Sequence, residues 1–116
     1  MEERTTISIK NTIGDAYGVE AEDGQKVFEL IKKAIDAGYK VTLSFLNIEM
    51  LTTAFLNTAI GQLYKDYSEQ EIKASLQITD ISESGKVALK RVVDTAKLFY
   101  KNPEALRNSI DDILGE

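Results

Sequence analysis

The chain has 116 residues and a net charge of −5, with 43% hydrophobic and 28% charged residues, the balance of a single globular domain (residues 1–116) able to bury a core of its own. It contains no Cys and no His, which excludes disulfides, thiolate nucleophiles, serine–histidine triads and zinc sites built on those residues. Acidity removes the usual source of nucleic-acid binding, no apolar run reaches the ~20 residues that span a bilayer, and the polar start lacks a signal-peptide apolar region, so neither nucleic acid nor membrane is expected as a partner and a bacterial cytoplasm is the simplest compartment.

Ile7 and Ile9 alternate with Ser8 and Lys10 and predict a short half-buried strand. Asn11, Gly14, Asp15 and Gly18 read as turns, with Tyr17 and Val19 able to add a short edge strand. Val27, Leu30, Ile31, Ala34 and Ile35 then recur at helical spacing. Glu20, Glu22 and Asp23 stand before or in the first turn, where carboxylates suit the dipole, and Gly38 closes the helix. This helix is expected from about Glu22 to Ala37. Val41, Leu43 and Phe45 alternate with Thr42 and Ser44, a second strand. Asn47 to Leu51 is a short connection. A second helix begins near Thr52 or Thr53, with Phe55/Leu56, Ala59/Ile60 and Leu63/Tyr64 as its apolar stripe. Ser68 to Glu71 has capping-box spacing before a brief segment. Ala74, Leu76 and Ile78 alternate with Ser75, Gln77 and Thr79, a third strand. A long helix from about Ser84 to Tyr100 turns Leu89, Val92, Val93, Ala96, Phe99 and Tyr100 inward. Asn102-Pro103 restarts the chain into a C-terminal helical extension over about 103–114.

Strands alternating with helices predict an α/β domain with a small, mixed or mostly parallel sheet and helices packed against it. Apolar–polar alternation in the strands predicts that part of the sheet is covered on one face only.

The chemistry-bearing residues are few. Gly14-Asp15-Ala16-Tyr17-Gly18 lacks the following Lys-Ser/Thr of a phosphate loop and reads as a turn. The carboxylates at 20, 22, 23, 111 and 112 lack calcium-loop spacing and read as solvated caps, so neither a metal nor a cofactor is expected. Lys86, Lys90, Lys97 and Lys101 form a stripe on the long helix that reads as a solvated face, and Asp80 reads as the cap of that helix. The most informative stretch is the junction into the second helix. Asn57 and Gly61 sit inside that helix, and an interior Gly costs roughly 1 kcal/mol relative to Ala. Either Gly61 marks a tight helix–sheet contact, or the junction is a recognition surface.

Val41-Thr42-Leu43-Ser44-Phe45, followed by Leu51-Thr52-Thr53-Ala54-Phe55-Leu56-Asn57-Thr58-Ala59-Ile60-Gly61-Gln62-Leu63-Tyr64, resembles the STAS-like family, related to anti-sigma factor antagonists and to the STAS domains of sulfate transporters. Glu22-Asp23-Gly24-Gln25 is similar as well. The resemblance covers roughly Ile7 to Ile81. It implies a STAS-type α/β fold and a non-enzymatic adaptor role, sometimes beside a histidine-kinase-like ATPase. In better-known antagonists a Ser at the start of this helix, preceded by Asp, is phosphorylated by the partner. The matching residue here is Thr53, preceded by Thr52.

The leading expectation is therefore a regulatory adaptor whose partner-binding residues are Thr52, Thr53, Phe55, Asn57 and Asn47, with Thr53 as candidate phosphoacceptor. A phosphate adds −1.5 to −2 charge and could switch binding without refolding the domain. The alternative is a sensor of a small molecule or nucleotide at the strand ends near Leu46, Asn47 and Asp80. No nucleophile stands with a base and an orienting group, so an enzyme is not expected. A homodimer is possible.

Overall fold

The computed structural model describes residues 3–101. The expected extension over 103–114 lies outside them. Three strands, β1 (Arg4–Ser8), β3 (Lys40–Ser44) and β5 (Leu76–Thr79), form a parallel sheet in the order β1-β3-β5. Each strand lies beside the next of the three, so each connection crosses over to an immediate neighbour, the arrangement that places successive right-handed crossover helices on one face. The residue pattern agrees. Ile7, Val41 and Leu43 are buried, whereas the opposite face carries Thr6, Thr42 and Gln77 in register. Across that polar face Arg4 Nη1 donates to Thr42 Oγ1 at 3.1 Å and to Gln77 Oε1 at 3.3 Å. One-sided cover, read from the alternation of the strands, is what the described residues show.

The covering layer begins with α2 (Ala21–Asp36), which buries Val27, Phe28 and Ile31. Gly38, at φ 91°, ends it: the N–H groups of Gly38 and Tyr39 bond the carbonyls of Ile35 and Ala34, a Schellman closure. Beside α2 runs a helical rod of three consecutive segments: α3 (Thr53–Leu56), a π-helical turn (Asn57–Gly61) and α4 (Leu63–Asp66). The outermost helix is α6 (Glu83–Lys101), which lays Val92 and Ala96 into the core. No helix among the described residues is long and apolar enough to cross a membrane.

Several local expectations are corrected. The turns expected after residue 10 include a five-residue helix, α1 (Ile9–Ile13), because Ser8 Oγ accepts the Asn11 N–H at 3.2 Å and Gly14 terminates it at φ 72°. Ile9 is thus a fully buried helical residue, not a strand residue. The connection 47–51 contains β4 (Met50–Leu51), which pairs in parallel with β2 (Tyr17–Gly18). Ala74 and Ser75 belong to α5 (Glu69–Ser75), not to the third strand: Ser68 Oγ accepts the Glu71 N–H at 3.1 Å and starts a helix that overrides the alternation. Leu30 and Phe99, expected inward, are 44% and 47% exposed because each sits at the edge of its helix stripe.

Candidate functional site

The rod from Thr53 to Asp66 has two unlike sides. Its start is fixed by Thr52, whose extended backbone (φ −113°, ψ 159°) makes it an N-cap. The Thr52 hydroxyl accepts the Phe55 N–H at 3.1 Å and donates to the Val19 carbonyl at 2.7 Å, while its own N–H reaches the Gly18 carbonyl at 2.9 Å. Both roles of that hydroxyl are taken by the backbone, so Thr52 positions the junction. The inner side of the rod carries Phe55, Leu56, Ala59, Ile60 and Leu63, all buried. This corrects the expectation that Phe55 faces a partner: the ring is 0% exposed, and its burial anchors the helix.

A close crossing holds the inner side. A Cβ on Gly24 of α2 would stand 2.6 Å from the Phe55 carbonyl oxygen and 3.0 Å from Thr58 Cβ. Only a residue without Cβ lets the two backbones approach so nearly. Gln62 Nε2 then donates to Gln25 Oε1 at 2.8 Å and ties the same pair of helices by side chains. Gly61 behaves differently. The helix–sheet contact expected there is absent, and the atom that a Cβ would meet is Asn57 Oδ1 at 2.7 Å. The amide of Asn57 lies over its own helix across the π-turn.

The outer side exposes Thr53, Ala54 and Asn57. Thr53 and Asn57 share a groove of about 160 Å³ with Arg91, Val92 and Thr95 of α6. Sequence reasoning missed Arg91. It lies one residue off the lysine stripe, and no local pattern places α6 beside the second helix. The lysines of that stripe within the described side chains are engaged: Lys86 with Glu83 at 3.2 Å, Lys90 with Asp94 at 3.0 Å and Lys97 with Glu69 at 2.8 Å. The Glu69 hydrogen bond also raises the pKa of the Lys97 ammonium. Arg91 makes no ion pair among the described residues.

Asn47 stands apart. It takes the left-handed conformation (φ 63°) between β3 and β4, and Asp80 does the same (φ 60°) after β5. Ser44 Oγ donates to Asp80 Oδ2 at 3.3 Å, so these two turns lie at the carboxyl ends of neighbouring strands. The expectation that Asp80 caps α6 is corrected: Ser82 caps it, its Oγ accepting the Gly85 N–H at 3.0 Å. A cavity of about 190 Å³ opens at this end, lined by Phe45, Ile48 to Leu51, Ser82, Ser84 and Gly85. It is smaller than the ~300–1,000 Å³ of ordinary ligand sites. At its rim the Glu49 carboxylate, bonded to the Tyr17 hydroxyl, raises the pKa of that phenol. Asn47 lines neither the cavity nor the groove, so the structure brings Thr53 and Asn57 together in one groove and does not place Asn47 in it. Among the described residues no cluster of three carboxylates could hold a metal ion.

The sequence profile described as a STAS-like domain of unknown function (DUF4325) matches residues 23–86, more than half of the chain. The match takes in the Gly24 crossing, the Thr52 cap and the whole rod. No curated protein and no solved structure matches the chain.

Proposed function

The chain belongs to the STAS-like domain family, and from that premise we propose that it is a non-enzymatic regulatory adaptor of the bacterial cytoplasm. It docks a partner polypeptide through the outer side of the rod, at Thr53 and Asn57. A histidine-kinase-like ATPase is the partner that the family resemblance implies. Thr53 is the phosphoacceptor: its Oγ1 takes the γ-phosphoryl group of ATP held by that partner, the bond to the ADP oxygen breaks, and the hydroxyl proton passes to a base on the partner.

The observation that carries this reading is the division of labour within one short stretch. Thr52 and Phe55 are consumed by the fold, whereas the intervening Thr53 and the following Asn57 are exposed. A hydroxyl and an amide held outward on a fixed frame can be read by a partner at little ordering cost. Phosphorylation of the hydroxyl places charge and bulk where the partner must pack.

Capture experiments with the products of neighbouring genes as baits test the proposal. Wild type is retained, and Thr53→Glu and Asn57→Ala each lower affinity at least about tenfold, roughly 1.4 kcal/mol. Unchanged binding by both variants overturns it. Thermal-shift screening covers the sensor alternative. A nucleotide or metabolite at a hundred times its Kd adds about 2.7 kcal/mol, and such a shift would move the reading to the strand-end cavity.

A further inference from the structure

We infer that Arg91 is the receptor for a phosphate on Thr53, so that the modified side chain closes onto α6 of its own chain. The inference rests on the reading of Thr53 as phosphoacceptor and specifies how the switch works.

The residues that line the groove supply the chemistry. Thr53 and Asn57 form one wall, and Arg91, Val92 and Thr95 form the other. Arg91 is the only charged member of the five. Its guanidinium is exposed and makes no ion pair among the described residues, in contrast to the paired Lys86, Lys90 and Lys97 on the same helix. Lys90 and Asp94, one and three residues from Arg91 in sequence, pair with one another at 3.0 Å. A chain with a net charge of −5 therefore holds a planar cation, unpaired among the described residues, beside the exposed hydroxyl at the start of the rod. Guanidinium binds phosphate in a bidentate fork, and such charge-assisted bonds are about twice as strong as neutral ones. Thr95 and the Asn57 amide can donate further bonds to the third oxygen.

The consequence for regulation is specific. With Thr53 unmodified, the groove is open and Arg91 is free to meet an acidic side chain of a partner. With Thr53 phosphorylated, the phosphate takes the guanidinium, fills the groove and withdraws both Thr53 and Arg91 from docking. The domain need not change fold, because α3 and α6 are already in contact.

The test needs neither the partner nor its kinase. Phosphothreonine is incorporated at position 53 of the full chain, and the phosphate is titrated by phosphorus NMR. With Arg91 present, its second pKa falls at least about half a unit below the ordinary value near 6, and about 1 M salt reduces the difference. In Arg91→Gln the pKa returns to the ordinary value, and in Arg91→Lys part of the shift is recovered. Equal pKa values in wild type and Arg91→Gln overturn the inference. Arg91 is exposed, so Arg91→Gln is expected to fold, and a far-UV and thermal comparison verifies it. Because the phosphate is installed synthetically, a failure to find Thr53 phosphorylation in cells would count against the adaptor reading alone.

Discussion

The two sides of the helical rod share one backbone and obey opposite requirements. On the inner side, Gly24 and the Phe55 carbonyl approach so nearly that no side chain fits between them, and the apolar residues around them are sealed. On the outer side, Thr53 and Asn57 border an open groove, and a Cβ on Gly61 would meet the side-chain oxygen of Asn57 at 2.7 Å. At the Gly24 crossing a side chain would meet backbone, the Phe55 carbonyl oxygen and the Ala59 nitrogen, which cannot give way without moving the helix. The outer side can change because displacement meets solvent or a mobile side-chain tip. The proposed docking residues lie on the second side and the rigid crossing on the first.

This contrast can be broken by mutation. The largest effect is expected at Phe55→Ala, which empties a fully buried site and costs about 3–5 kcal/mol in chemical denaturation. Gly24→Ala follows at about 1–3 kcal/mol, since its Cβ meets a carbonyl oxygen that cannot move without the helix. Thr52→Ala, read the same way, costs about 1–2 kcal/mol through the lost cap. If Gly24→Ala proved neutral, the inner crossing would be looser than described. Gly61→Ala sharpens the comparison. The added methyl crowds the Asn57 amide at 2.7 Å and makes ordinary contact with Val92 Cγ1 at 3.5 Å, while helix propensity favours Ala by about 1 kcal/mol. Stability is expected to hold or rise, and partner capture to fall as Asn57 is pushed aside.

The smallest expected effect is on acid stability. The Tyr67 hydroxyl donates to Asp36 and holds that carboxyl below its usual range, with Lys32 assisting. A lowered folded value means that this clasp contributes fully above the ordinary Asp pKa near ~4 and is lost as pH falls through the lowered one. Tyr67→Phe should therefore lower stability slightly at neutral pH and flatten the acid limb, with the two curves converging once pH falls below the lowered Asp36 value. An acid limb identical to wild type would show that Asp36 is not held by Tyr67.

Long periodic elements were legible in the sequence, and short or cross-chain ones were not. The apolar spacing of α2 and α6 located both within one or two residues of their ends. α1 and the β2–β4 pair are too short to show a period, and they depend on a cap at Ser8 and on pairing between residues more than thirty apart. At Ala74 two local signals competed, and the Ser68 cap prevailed over strand-like alternation. Thr53 was singled out by the family resemblance and Asn57 as a weak helix former inside the helix, and the structure leaves both exposed. Phe55 was misread because proximity to them in sequence says nothing of which way a ring points. Arg91 carried no local mark, since its meaning comes from a neighbour in space on another helix.

The sheet has its own bearing on how this protein meets others. Its two outer strands, Arg4–Ser8 and Leu76–Thr79, are five and four residues long. A visiting polypeptide that extended such a brief border would gain only a few main-chain bonds, and that economy also discourages runaway stacking of copies. Under the proposed adaptor role, partner selection would then fall to the identity of side chains, where one added charge can distinguish a permitted encounter from a refused one.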